Sequence, residues 1–527
     1  MSSPTTQLSV DPTVEYNDGT SWVDISDDVI QDADLAIDIG IRGTGPLDNV
    51  AGTGTCAFDL KNANPLGQYS PGHANVKTGW TIGADVRVSF DPNIALASSD
   101  GDAIQSSDGD ALEVAKTIRF IGRVTNIDPE AGQHLTRRCH VMCEDYMGLL
   151  ADAVIREISA QVDATDMALL TSIYNALESD SKPPYLLLDD AIDTYPTALD
   201  DVSAGQPAMG LMKDVLDSCF GILAQRGDGV LFVKNRNART YDDSLGTFDD
   251  DDIRTLRNPT AKRQLFNRVE VEMPQIVIGA SNEVLTSAVG QDNEGVDDGE
   301  TIEQWLNYRD PNDTSSNPVA IGGTSFVAIV SGTDYVFNSA ADGTGSNVTA
   351  SMTVTASPFA GSVKFSITNN SGAPAYRITL QQRGLAIRRY KPITIVSESA
   401  QSYGVRRLGI SLRYQDARSV TEFIADFIRS QYEEVSDRPE MVELQVMRSE
   451  TNLRHALERE SVDRITLSET ATGLSADAFI QSISLRYRRK ILTCEWTLAP
   501  QSSFLFIEPW LLGTAGKSEL GETTVLG

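Results

Sequence analysis

Apolar and polar positions alternate through most of the first 145 residues. Thr55, Ala57 and Asp59 interleave with Cys56, Phe58 and Leu60, the two-residue period of a strand with one buried face. Val86 and Val88 resume that period after a connection rich in turn formers: Asn62, Asn64, Pro65, Gly67, Ser70, Pro71 and Gly72. Upstream, Val14 and Tyr16 stand across Asn17-Asp18-Gly19 from Trp22 and Ile25, a hairpin signal. Thr117 to Ile127 supplies another long strand. Ser98–Ala103 and Ser106–Ala111 both read SSDGDA, which predicts successive tight turns in a projecting hairpin near residues 96–114. Its aspartates lack the glutamate and the ligand spacing of a calcium loop.

From Glu144 the period lengthens. Met147, Leu150, Val154 and Ile158 fall three to four apart, as on one helix face. Asp166–Leu177 and Ala208–Ala224 predict two further helices. Arg226–Val233 then returns to strand through Gly227-Asp228-Gly229, and this hairpin tip accounts for the Arg226-Gly227-Asp228 triplet without an adhesive role. A small α/β domain over residues 146–280 follows from the pattern.

Residues 281–318 are polar, with Gly, Pro, Asn and Asp throughout, and predict a linker. Over residues 319–390 alternation returns in Val348, Ala350, Met352 and Val354, in Val363, Phe365 and Ile367, and in Tyr376, Ile378 and Leu380. With Asn369–Gly372 as a turn, this reads as an inserted antiparallel sandwich. Residues 391–505 mix strands with a helix over 419–435. Val420, Phe423, Ile424, Phe427 and Ile428 form that helix's apolar face, and Ser419 with Glu422 has capping-box spacing. Ile483, Leu485 and Tyr487 then alternate with Ser484, Arg486 and Arg488. Residues 506–527 form a C-terminal tail. The fold class predicted is mainly β with α+β parts, in several domains.

Composition narrows the function. The 527 residues carry a net charge of −31. Tyr376–Lys490 is nearly balanced, with 19 Lys+Arg against 15 Asp+Glu, so the remainder has 24 against 59, a balance of −35. Such a surface repels free nucleic acid. Five scattered cysteines suit reduced thiols better than a disulfide framework. No run approaches the roughly 18 apolar residues of a membrane span, and the first residues have neither the basic nor the apolar stretch of a secretory leader.

Catalytic chemistry is not apparent. His73, His134, His140 and His455 are the only histidines, and no HExxH, GxSxG or Walker loop occurs. Cys139 and Cys143 fall on one face of a strand with His140 opposite, poor geometry for tetrahedral zinc. Among 74 acidic residues, paired carboxylates carry no information about glycoside hydrolysis. No catalytic residue, cofactor or metal site is predicted, and the chain reads as a non-enzyme.

Four segments together resemble one family. They are "GTGTCAFDLKNANPLGQYSPGHANVKTGWTIGADVRV" from Gly52, "GTDYVFNSAADGTGSNVTASMTV…SITNNSGAPAYRITLQQRG" from Gly332, "SYGVRRLGISLRYQDARSVTEFIADFIRSQYEE" from Ser402 and "TGLSADAFIQSIS…LTCEWTLAP" from Thr472. In this order they are similar to the tail-tip, or baseplate-hub, minor tail proteins of long-tailed bacteriophages. The resemblance implies a structural hub that closes or joins the distal end of the tail tube to the host-attachment apparatus and surrounds the DNA path. It implies a homotrimer with two barrel-like hub domains per chain, residues 1–145 and 391–505, in a pseudo-sixfold ring. The implied partners are a distal tail or tail-tube hexamer, a tape measure protein and tail fibre or tip proteins. DNA would be only passing cargo, with no stable membrane insertion. The protein would be assembled in the host cytoplasm and reside in the virion, at the distal end of the tail. The alternatives are a receptor- or glycan-binding adhesin, with Trp305, Tyr335 and Phe337 stacking on sugars, and a tail-associated cell-wall hydrolase.

Overall fold

The computed structural model describes residues 8–504, apart from 46, 92–115, 132–136, 156–157, 200–201, 203–204, 242, 260–264, 290–294, 310–320 and 435–437. The expected hairpin near 96–114 and the tail 506–527 lie outside the described residues. Strands account for 47% of the described residues and helices for 16%, so the structure is mainly β.

Seven strands come first: β1 (Asp11–Asn17), β2 (Trp22–Asp24), β3 (Leu35–Gly40), β4 (Thr55–Lys61), β5 (Asp85–Asp91), β6 (Thr117–Pro129) and β7 (Arg138–Asp145). Their buried positions are the alternating ones, including Cys56, Phe58, Leu60, Val86 and Val88. The β1–β2 turn closes through Asn17, whose Oδ1 accepts from Gly19 N, and Asp18, whose Oδ1 accepts from Ser21 N. The turn-rich connection after β4 folds around Trp80, whose indole meets Tyr16 and Tyr69 edge-on, each at 5.2 Å.

A mixed unit follows: α1 (Tyr146–Asp152), β8 (Val154–Ile155), β9 (Gln161–Thr165), α2 (Asp166–Asn175), β10 (Leu186–Leu188), β11 (Thr194–Ala198), β12 (Gln206–Pro207), α3 (Ala208–Cys219), β13 (Ile222–Gln225), β14 (Leu231–Lys234) and α4 (Ala238–Tyr241). The helix expected over 208–224 stops at Cys219 because Phe220 takes a left-handed backbone, φ +55°. Ile222–Gln225 is instead a buried strand hydrogen-bonded to β14. An apolar run this short does not distinguish helix from strand. Val154, expected on a helix face, is 44% exposed on β8.

Next come β15 (Thr247–Phe248), β16 (Ile253–Arg257), β17 (Arg268–Ile278), β18 (Glu283–Val289), β19 (Thr301–Asn307), β20 (Ile321–Thr324), β21 (Tyr335–Asn338), β22 (Met352–Pro358), β23 (Ser362–Asn369), β24 (Tyr376–Glu398) and β25 (Arg407–Ser411). The polar segment 281–318 is therefore not a plain linker. β18 pairs with β24, and β19 pairs with β23 over seven residues. Each has one face turned to solvent, so its composition stays polar while Leu285, Ile302 and Leu306 enter or cover the core. The break expected at residue 390 is crossed by β24, which runs unbroken for 23 residues and pairs β17 in its second half.

The chain ends in α5 (Arg418–Tyr432), β26 (Met441–Leu444), α6 (Glu450–Glu458), β27 (Arg464–Glu469), β28 (Leu474–Arg488) and β29 (Ile491–Pro500). Helix α5 starts one residue before Ser419 and has no side-chain cap at Ala417. Glu422, expected in a capping box, instead pairs with Arg418 at 2.7 Å.

The largest sheet has thirteen strands, in the path β16-β26-β29-β28-β3-β4-β7-β6-β5-β1-β2 with β27 on β28 and β15 on β27. This corrects the expectation of two separate barrels. No described sheet closes into a barrel, and strands from both ends of the chain share one core, from Val14, Phe58 and Val141 to Leu444, Ile483 and Trp496. The expected second unit is itself divided. Residues 391–398 and 407–411 belong to the six-stranded sheet, on which α5 packs, while 441–500 join the large one.

Candidate assembly surface

The two ends of the chain meet along β3 and β28. They run antiparallel, with Ile37 opposite Leu485 and Ile39 opposite Ile483. On the outer face Arg486 Nη2 donates to both Asp38 carboxylate oxygens, at 3.0 and 2.8 Å. Gly40 ends β3 at φ +102°, and a Cβ there would lie 2.4 Å from Gln481 O and 2.5 Å from Ser461 Oγ. Only glycine combines that backbone with so close an approach.

A buried arginine fastens the seam from the other side. Arg119 of β6 is fully buried. Its guanidinium donates to Leu457 O at 3.1 Å, Arg459 O at 2.9 Å and Glu460 Oε1 at 2.8 Å. Burial pushes the Glu460 carboxyl up, and the Arg119 charge opposes that shift. Gly227 N also donates to Glu460, and a Cβ at Gly227 would lie 2.7 Å from Ile118 O. The Arg-Gly-Asp triplet is thus a hairpin tip wedged against β6, with Arg226 and Asp228 paired to each other.

Three free edges remain among the described strands of this sheet: the two-residue β15, β2 and β16. β2 is only three residues long. β16 carries Arg254, paired with Glu443 of β26, and Arg257, paired with Glu440 just before that strand. Short length and charge are how exposed edges avoid unwanted pairing. A cleft of about 890 Å³ separates β16 from the β27–β28 turn, lined by Ile253, Leu256 and Thr470 among others.

The residues singled out for chemistry do not converge. Cys139 and Cys143 are buried on the inner face of β7, while His140 points outward, its Nδ1 2.8 Å from Asp59 Oδ1. Burial raises all five thiols, Cys139 to about 12, which disfavours the thiolate needed for attack or metal binding. Burial also lowers His455, whose ring packs edge-on against Phe248. His134 lies outside the described residues. Among those described, no three His, Cys, Asp or Glu side chains are grouped to hold a metal ion, and no helix is long and apolar enough to cross a membrane. Of the aromatics considered for sugar stacking, Phe337 is wholly buried and Tyr335 packs against the same core, whereas Trp305 is 42% exposed.

The seam was missed in the sequence reading. Arg119 and Arg123 stand in the same strand, and nothing local says that Arg119 is the buried one or that its partner is Glu460.

No family model matches the chain, and no curated protein sequence does. Solved structures do. The 43 kDa tail protein of prophage MuSo2 from Shewanella oneidensis aligns over 94% of this chain and 98% of its own, at 9% identity and a TM-score of 0.47. The tail protein from Neisseria meningitidis MC58 aligns over 93% and 96%, at 8% identity and a TM-score of 0.47. Prophage tail protein gp18 from Listeria monocytogenes EGD-e aligns over 92% and 94%, at 10% identity and a TM-score of 0.39. These three solved structures, similar to this chain along nearly its whole length, are described as tail proteins.

Proposed function

We propose that the chain is a structural hub protein at the distal end of a bacteriophage tail, where it joins the tail tube to the attachment apparatus. One observation carries this reading. The first and last of the segments that resemble tail-hub proteins, more than 400 residues apart in sequence, supply β4 and β28, the two neighbours of β3 in one sheet. They form one body, as parts of a ring-building unit need to. Copies would meet around an axis, as a homotrimer closed by heterologous contacts.

Light scattering on the purified chain, alone and with the tail-tube protein, tests this. The expected mass is three times the 57.1 kDa of one chain. A stable monomer at micromolar concentration, even with the tube protein present, overturns the reading.

The acidic excess fits the same role. DNA carries about one negative charge per 1.7 Å of axis, and a basic wall would hold it by counterion release. An acidic channel wall leaves it free to slide. A charge map of the assembled ring with a neutral or positive wall would refute this part and leave solubility as the use of the charge.

A further inference from the structure

The three-stranded sheet β19-β23-β22 buries one face and leaves the other unpartnered. Val354, Val363, Phe365 and Ile367 point inward. The registers place the outward side chains in rows: Thr301, Thr368 and Thr353; then Glu303, Ser366 and Thr355; then Trp305, Lys364 and Ser357. Six of these nine are hydroxyl residues. Rows on one face recur about every 6.8 Å along a strand, so the hydroxyls form a regular grid.

Threonine is at home in any exposed strand; two other features set this face apart. The first is its charge. In a chain of net charge −31, the only charged groups in these rows are Glu303 and Lys364, which form an ion pair at 3.5 Å and cancel. The second is Trp305. Its indole is 42% exposed on an edge strand, stacked on Phe359 with centroids 5.5 Å apart and planes 20° from parallel. The Lys364 ammonium lies 5.8 Å from its ring centroid. Phe359 fixes the orientation of a large apolar ring that solvent still reaches.

We propose that this face binds a neutral oligosaccharide, with Trp305 as the stacking platform. A sugar ring offers an apolar C–H face to an indole and hydroxyls around its rim to Thr, Ser, Glu and Lys side chains. Charge selects this ligand over others. A nucleic acid or an acidic glycan needs unpaired cations to hold its anions, and a basic partner needs unpaired carboxylates. These rows offer neither. The site lies on the inserted sandwich and is independent of the seam that joins the chain's two ends.

The test uses the full-length protein on an array of neutral oligosaccharides of glucose, galactose and N-acetylglucosamine, with heparin as an anionic control. Hits are followed by intrinsic fluorescence titration. At least one neutral oligosaccharide is expected to bind and heparin is not. Trp305→Ala should weaken binding at least about tenfold, a loss of about 1.4 kcal/mol, while Trp305→Phe retains part of it. Thr355→Asp, a change at an exposed position that adds one uncompensated charge, should weaken it without altering the unfolding temperature. Absence of binding across the neutral array, or binding unchanged by both Trp305→Ala and Thr355→Asp, overturns the proposal. So does a change in oligomeric mass on Trp305→Ala, which would make this face a contact between copies.

Discussion

The thirteen-stranded sheet and the strands that share a core over residues 285–386 are built with the same kind of alternation, but their cores are assembled differently. The large core draws residues from Val10 to Leu498, so it forms only when chain segments hundreds of residues apart find each other. The sandwich core lies within residues 285–386, and both of its ends leave through one strand pair, β17 with the second half of β24. Non-local pairing gives up more chain entropy before contacts repay it. Damage to the seam is therefore expected to spread through the whole molecule, and damage to the sandwich to remain local. Contacts cross between the inserted region and the α/β unit where Ala360 N donates to Ile158 O at 3.1 Å and Ala160 packs with Ala360.

The largest effect is expected from Gly40→Val. The new side chain meets Gln481 O, and the left-handed backbone is denied to a β-branched residue, a loss of about 3–5 kcal/mol. Both ends of the chain should lose hydrogen-exchange protection together. Protection lost in β3 alone would mean that the seam does not unite the two halves.

Phe365→Ala is expected to cost about 3–4 kcal/mol through a cavity in the sandwich. Here exchange should rise in residues 283–386 while the large sheet keeps its protection. Uniform loss of protection would merge the two regions into one cooperative unit.

Asp145 offers a pH-dependent probe at the junction of β7 and α1. Its Oδ1 accepts from Met147 N, and burial pushes its carboxyl up to about 7. A raised carboxyl favours the protonated folded state, so its contribution is full below the unfolded value near 3.8 and is lost as pH rises through about 7. Stability measured by denaturant titration between pH 4 and pH 8 should therefore fall less in Asp145→Asn, by about 4 kcal/mol over that window. An unaltered fall would place the pH dependence elsewhere.

The smallest effect is expected from the largest change. Ile278 and Ile387 are direct cross-strand partners, so residues 279–386 can be replaced by Asn-Gly, a turn suited to closing a two-residue hairpin. Unfolding of the large sheet, and the mass of any assembly, should stay as in the intact chain. Deleting only 319–385 would instead leave β18 and β19 without partners. Loss of assembly in a folded 279–386 deletion would show that the insertion takes part in the ring.

Much of the local structure was legible because it follows from spacing alone. Cys56, Phe58 and Leu60, then Val363, Phe365 and Ile367, then Ile483, Leu485 and Tyr487 are all buried where alternation put them inside. The hairpin tips at Gly19 and Gly229 take positive φ as their turn sequences require. Where composition stood in for spacing the reading failed. Residues 281–318 looked like a linker because solvent-facing strands are polar on one side. Ile222–Ala224 looked helical because a short, fully apolar run has no period to read.

The sequence by itself determined the strands with a clear two-residue period and which of their faces are buried, and it contains no HExxH, GxSxG or Walker motif. Only the tertiary structure decided which strand pairs with which. β3 joins β28 and no described sheet closes into a barrel, Arg119 finds Glu460, and Trp305 stays exposed while Phe337 is buried. The physical reason is range. Periodicity and turn chemistry act within a few residues, whereas the partner of a sheet edge, a buried charge or an aromatic ring is set by packing between distant segments that no local pattern encodes.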